Sequence, residues 1–162
     1  MRSTEYKYFG GIHGGHVTIE VDSADYGFNP GDPFHYIAHK NVRSSSFVSR
    51  KTNGRPPYPP GDKFATFIIP ITQVQYVKIN EIHSSYCAQT PYDYAFLGMR
   101  CASATQDILG QIGIVKYRRR FINVLTTFYP KKLRKRLFKL AAKKNYKVIK
   151  QAGRLTRKWE RD

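Results

Sequence analysis

Two residues in this chain have the type and setting to do chemistry together, Cys101 and His16. Cys101 opens a run of helical character, Cys101-Ala102-Ser103-Ala104-Thr105-Gln106-Asp107-Ile108-Leu109, directly after a Gly98-Met99-Arg100 turn. A thiol at a helix N-terminus lies among unpaired N–H groups at the positive end of the macrodipole, which lowers its pKa and favours thiolate. His16 opens an alternating run, His16-Val17-Thr18-Ile19-Glu20-Val21. A histidine folded against such a thiol forms a nucleophile and base pair. A third polar group must then orient the imidazole. His39 is one candidate and His35 the other, both on a run expected to pair with the His16 strand.

The elements that must position these groups follow from periodicity. Residues 6–9 predict a short first strand, and a glycine loop, Gly10-Gly11-Ile12-His13-Gly14-Gly15, delivers His16 to the next one. The loop lacks the Lys-Ser/Thr ending and following helix of a phosphate-cradling loop. Val17, Ile19 and Val21 alternate with His16, Thr18 and Glu20, the signature of a half-buried strand. Residues 22–33 carry Asp, Gly, Asn and Pro and read as a loop. Strands are expected at Phe34–His39 and around residues 46–50, with an extended proline-rich connector over residues 51–63.

Phe64–Ile69 reads as an apolar strand ended by Pro70. Thr72 with Gln75 three residues on is a capping box, and Val74, Val77, Ile79 and Ile82 stripe the helix it starts, expected to end near His83. Cys101, Ala104, Thr105, Ile108 and Ile112 follow the 3.6-residue period, so the thiol lies on the inward side of its helix, which is expected to end at Gly110 or Gly113. Residues 114–127 follow no clear pattern. Pro130 suits a first helical position, with Leu133, Leu137, Leu140 and Ala141 on one face. Residues 146–151 and 154–159 flank Ala152-Gly153 and predict a β-hairpin.

The segments Gly15-His16-Val17-Thr18-Ile19, Tyr36-Ile37-Ala38-His39 and Arg100-Cys101-Ala102-Ser103 resemble circularly permuted papain-like proteins, the permuted NlpC/P60 and lecithin:retinol acyltransferase-like group, in which the histidine strands precede the cysteine helix. The resemblance covers about residues 8–115. It implies an α+β fold with an antiparallel sheet packed on helices, Cys101 as nucleophile, His16 as base and His39 as orienting group. It implies peptide-like amides or lipid esters as the substrate class. Many relatives carry Asn before the cysteine where this chain has Arg100, and the loop between the histidine strands is longer here than in compact members.

A lone cysteine on an apolar helix face is most often a small buried hydrophobe. The joint pattern of two histidine strands followed by Cys at a helix start favours catalysis instead. Cys87 lacks such a context and reads as structural. Two cysteines are too few for a disulfide scaffold. No metal site is expected, because His13, His16, His35 and His39 show no helical ligand spacing and Asp22, Asp25 and Asp32 lack the calcium-loop pattern. No cofactor is expected.

The charge belongs to a different part of the chain. Of the net +17, residues 116–162 hold 18 Lys/Arg and 2 Asp/Glu, a net +16, against 10 and 9 in residues 1–115. The division predicts a papain-like domain over 1–115 and a basic helix and hairpin extension over 116–162, packed on the same domain. Arg118, Arg119, Arg120, Lys131, Lys132, Arg134, Lys135 and Arg136 are the candidate anion-binding residues. Their expected partner is nucleic acid or an anionic membrane surface. No nucleic-acid motif occurs. No apolar run is long enough to span a membrane and the first residues lack a secretory pattern, so the expected location is cytoplasmic, with peripheral membrane association through the tail. The sequence therefore predicts a cysteine hydrolase or acyltransferase, the alternative being a non-catalytic basic protein.

Overall fold

In a computed structural model of the chain, which describes residues 2–8, 13–31, 35–39, 46–51 and 64–153, eight strands and four helices form an α+β structure. The strands are β1 (Arg2–Tyr8), β2 (His13–Val21), β3 (Ala24–Asn29), β4 (His35–Ile37), β5 (Ser46–Lys51), β6 (Phe64–Ile68), β7 (Ala95–Leu97) and β8 (Lys147–Gln151). The helices are α1 (Gln73–Ala88), α2 (Cys101–Gln111), α3 (Arg120–Thr126) and α4 (Pro130–Lys144). Six strands make one antiparallel sheet in the order β5-β3-β2-β1-β6-β8, while β4 and β7 pair in parallel apart from it.

The β2–β3 hairpin shows where the alternating pattern is overruled by turn chemistry. Residues 22–33, expected as loop, contain a strand, because Asp22 and Ser23 both adopt positive φ (49° and 61°) and make a two-residue turn. Such turns match the right-handed twist of the flanking strands, and Asp accepts the left-handed conformation more readily than most residues. The pairing runs from Val21↔Ala24 to Thr18↔Gly27. The expected pairing of β2 with Phe34–His39 is therefore replaced. His35–Ile37 lies against β7 instead, with His35 opposite Ala95.

Strand alternation sorts the sheet into two faces. Val17, Ile19, Phe28, Phe47, Ala65 and Phe67 turn to one side and join Ile79, Ile82, Ile108, Leu109, Leu133 and Leu137 in a single core. Fully burying each such side chain stabilises the fold by about 1.5–3 kcal/mol. Phe28 stacks on Phe47 at 4.7 Å, and Phe67 meets Phe138 edge-on at 4.9 Å. Helix α2 is the hub, with every residue from Cys101 to Gly110 buried.

Helix α1 begins as its capping box dictates: Gln75 N–H donates to Thr72 Oγ1 (3.2 Å), and Thr72 N–H donates to Gln75 Oε1 (2.9 Å). It continues past His83 to Ala88, carrying buried His83 and Tyr86. Helix α2 ends at Gln111, and Gly113 at φ 75° turns the chain away. The pattern-free stretch 114–127 holds α3. Helix α4 starts on Pro130 and stops at Asn145 in the left-handed conformation, with Lys143 and Lys144 favourably placed at its C-terminal end.

The basic extension is built into this body. Leu133, Leu137 and Ala141 enter the common core, and Lys147–Gln151, the first arm of the expected hairpin, pairs with β6. The second arm of that hairpin, residues 154–159, lies outside the described residues, as does the proline-rich connector over 52–63. No helix among the described residues is long and apolar enough to cross a membrane.

Candidate active site

Cys101 is the first residue of α2 and is 3% exposed. Ser103 fastens the helix start: Arg100 N–H donates to Ser103 Oγ at 2.7 Å, and the hydroxyl donates back to the Arg100 carbonyl at 3.1 Å. The Cys101 thiol receives hydrogen bonds from the backbone N–H of Val17 and of Ala102 and from the Tyr94 hydroxyl, which itself accepts the Cys101 N–H. These donors and the Arg100 charge favour thiolate. Burial opposes them and wins, pushing the thiol above its ordinary range. The expectation of a lowered pKa from the helix terminus alone is thus corrected.

The contact with Val17 locates the thiol. In the β2–β3 hairpin the hydrogen-bonded pairs alternate from Val21↔Ala24, so Val17 N–H points toward Phe28. The ladder stops one pair short, at Thr18↔Gly27, which leaves the Val17 N–H at this fork to the thiol.

His16 lies at the mouth of that fork, one residue before Val17. Its ring shares the face of Thr18 and Gly27, with Nε2 only 3.1 Å from where a Cβ on Gly27 would sit. Helix α2 packs on the opposite, Val17 face, so thiol and imidazole reach the start of β2 from its two sides. Burial, with the Arg50 charge nearby, lowers the His16 pKa to about 4, so the imidazole is neutral at pH 7 and a weak proton acceptor at rest.

The residue beside His16 on this face is Asn29, which sequence reasoning did not single out. Asn29 is as far past the Asp22-Ser23 turn as His16 is before it, each lying two residues beyond the last ladder pair, Thr18↔Gly27. Asn29 Nδ2 lies 3.7 Å from the same ideal Cβ position on Gly27 and donates to the Gly27 carbonyl at 3.2 Å. The signal was the two-residue turn between two runs of strand character.

His35 and His39 are placed on the β4–β7 unit. His35 Nδ1 pairs with Asp93 Oδ2 at 2.9 Å, the His39 backbone N–H donates to the same oxygen at 3.0 Å, and the two rings lie 4.6 Å apart. The strand geometry that was to set His39 against His16 is not formed. Instead the pair clamps the buried Asp93, eight residues before the nucleophile candidate, and so fixes the chain entering α2. Ala38 adds to this, sitting close enough that a Cβ on Gly98 would meet it at 3.2 Å.

Arg100 is buried next to the thiol, its guanidinium 3.4 Å from the ring centre of Phe128, with Phe96 at 4.9 Å and Tyr129 at 5.4 Å. This aromatic box uses the planar guanidinium in a way that Asn could not. It ties the α3–α4 junction to the N-terminus of α2.

The remaining basic candidates divide. Arg134 is buried, and Arg136 donates to Thr126 O (2.8 Å), Thr127 Oγ1 and Gln106 Oε1, so both serve the interior. Arg118 donates to Thr126 Oγ1, and Arg120 stacks on Tyr92 and reaches Pro91 O. Arg119, Lys132 and Lys135 are exposed and Lys131 is half-buried. Cys87 is exposed near the end of α1. Among the described residues no group of three His, Cys, Asp or Glu side chains is arranged to hold a metal ion.

A cavity of about 370 Å³ opens beside the far end of α2, lined by Ile19, Ile79, Leu109, Ile112 and Ile114. Leu109 is eight residues from Cys101, roughly 12 Å along the helix axis, so this cavity does not adjoin the thiol. No family model, no curated protein and no solved structure matches the chain.

Proposed function

We propose that the chain is a cysteine hydrolase or acyltransferase of the permuted papain-like type, with Cys101 as nucleophile, His16 as base and Asn29 as the residue that orients His16. The observation that carries this reading is the seating of the thiol at the start of α2, in the fork between β2 and β3, with His16 and Asn29 on those two strands at the same fork. Asn29 takes the third role in place of His39 because its side-chain amide and the His16 ring both reach the space over Gly27.

The pair rests as neutral thiol and neutral imidazole, given the directions of both pKa shifts. For His16 to take the thiol proton as Sγ attacks the carbonyl carbon of an amide or ester, its ring must swing round the end of β2, because the two groups stand on opposite faces of that strand. The imidazolium then gives that proton to the departing amine or alcohol, leaving a thioester on Cys101. Water, or an acceptor hydroxyl or amine, attacks the thioester as His16 removes its proton, and the acyl group leaves with the thiol restored.

The test is alkylation by a carbonyl-bearing thiol probe in a Cys87→Ser background, read by intact mass. Stoichiometric labelling at Cys101 that slows at least tenfold in His16→Ala supports the reading. Labelling no faster than a simple thiol, and unchanged in His16→Ala, overturns it. The 3% exposure of Cys101 favours a second reading, a non-catalytic basic protein in which the thiol is a packed hydrophobe. That reading predicts the overturning result.

A further inference from the structure

We propose that α3 is a membrane-docking element that lies in the interface of an anionic lipid surface. Its seven residues carry Phe121 at 73%, Leu125 at 65% and Ile122 at 42% exposure, while Asn123 is fully buried and anchors the opposite side. At 100° per residue the three apolar side chains fall within a 100° arc, so one stripe of the helix faces outward. An outward apolar stripe on a short helix costs solubility unless something apolar covers it.

Charge complementarity identifies what covers it. Exposed Lys116, Arg119 and Arg120 precede the stripe, and exposed Lys132 and Lys135 follow it on the first turns of α4. No Asp or Glu occurs anywhere from residue 108 to 159. An apolar stripe bordered by cations without a single acid matches the boundary between anionic headgroups and acyl chains. Nucleic acid would use the cations equally well and would find a stacking face in Phe121, but Ile122 and Leu125 offer a base neither a stacking face nor a hydrogen bond. The two aliphatic side chains beside Phe121 select lipid.

The element is rigidly mounted. Asn123 Nδ2 donates to the Arg118 carbonyl at 3.3 Å, Arg118 grips Thr126 at 3.0 Å, and Arg136 holds the Thr126 carbonyl from α4. Docking therefore engages a preformed surface. This inference rests on that surface alone and stands whether or not Cys101 is reactive.

The experiment is co-sedimentation of the full chain with phosphatidylcholine vesicles, with and without phosphatidylserine. A parallel measurement uses duplex DNA and single-stranded RNA at matched phosphate concentration. The chain is expected to sediment with the phosphatidylserine vesicles and not with pure phosphatidylcholine. The double variant Phe121→Ser/Leu125→Ser should bind the anionic vesicles roughly tenfold or more weakly, and Lys132→Glu/Lys135→Glu should weaken binding as added salt does. All four side chains are exposed, so the melting curve checks that the fold is kept. Binding to nucleic acid as well as vesicles, with the apolar variant losing only the vesicles, also supports the proposal. Vesicle binding unchanged in the apolar variant, or binding to nucleic acid alone, overturns it.

Discussion

The side chains of His16 and Asn29 stand on either side of Gly27, and the absence of a Cβ on that glycine leaves room for the imidazole. An added methyl would lie 3.1 Å from His16 Nε2 and 3.2 Å from the γ-methyl of Thr18. That is tighter than ordinary contact, so the neighbours must give way.

Gly27→Ala should therefore leave the hairpin paired while moving the imidazole by a few tenths of an ångström. Gly27→Val should displace it outright. The expected outcome is a graded fall in the Cys101 labelling rate, Ala before Val, with far-ultraviolet circular dichroism unchanged. Equal rates in all three proteins would remove His16 from the labelling step.

Two histidines make the fold sensitive to acid. His16 and His83 each have a folded pKa of about 4 against an ordinary 6.5, His83 because it is buried against Tyr26 at 3.8 Å. Between those values the unfolded chain binds protons that the folded chain refuses, so stability falls as pH drops from 6.5 toward 4. Each histidine contributes a loss of about 3 kcal/mol by the lower end of that window. Urea midpoints at pH 7 and pH 4.5 measure it, and His83→Gln should flatten the slope. An unchanged slope in that variant would show that His83 already titrates normally.

The register of α1 on α2 is held by a buried polar trio. Tyr86 OH donates to Asp107 Oδ2 at 3.1 Å, and Gln111 Nε2 reaches both Tyr86 OH (2.8 Å) and Asp107 (3.0 Å). Burial raises the Asp107 pKa, its hydrogen bonds opposing the rise. Tyr86→Phe removes one donor from the carboxylate and should cost about 1–3 kcal/mol by chemical denaturation. No measurable cost would mean that Gln111 alone satisfies Asp107.

Arg100 is expected to be irreplaceable by Lys. A compact ammonium keeps the charge but loses the flat contact with Phe128. Arg100→Lys should speed amide hydrogen exchange at the α3–α4 junction and at the first turn of α2 while leaving α1 unaffected. Exchange limited to one of the two regions would show that the aromatic box does not couple them.

The mixed architecture, the Thr72 capping box and the start of α2 at Cys101 could be read directly, because each depends on neighbours within one or two turns of chain. The location of β3 could not, since composition pointed to loop and only the paired positive φ values of Asp22 and Ser23 make a hairpin of it. That one turn gives β2 a different neighbour, so the choice of His39 as third residue rested on a strand pairing that the chain does not make. The thiol pKa was misjudged for a related reason. The helix terminus is visible in sequence, and β2, Tyr94 and Arg100 add to its effect, but the burial that outweighs them all comes from tertiary packing, which no local pattern shows. The fate of the basic tail was legible only by halves, as charge says nothing about which arginines a core will take in.

The six-stranded sheet has a consequence for the order in which the molecule assembles. β1 lies between β2 and β6, so the sheet joins strands made early to one that follows some fifty residues later, and β8 closes onto β6 after about eighty more. Pairings of such sequence separation form slowly because loop closure must precede their reward. The β2–β3 hairpin can be complete long before α2 arrives to fill its fork. Until that moment Cys101 is an accessible thiol, and its enclosure reports the packing of α2 on the hairpin. A pulse of alkylating reagent during refolding of the Cys87→Ser protein will therefore date that packing, with Cys101 as a built-in clock.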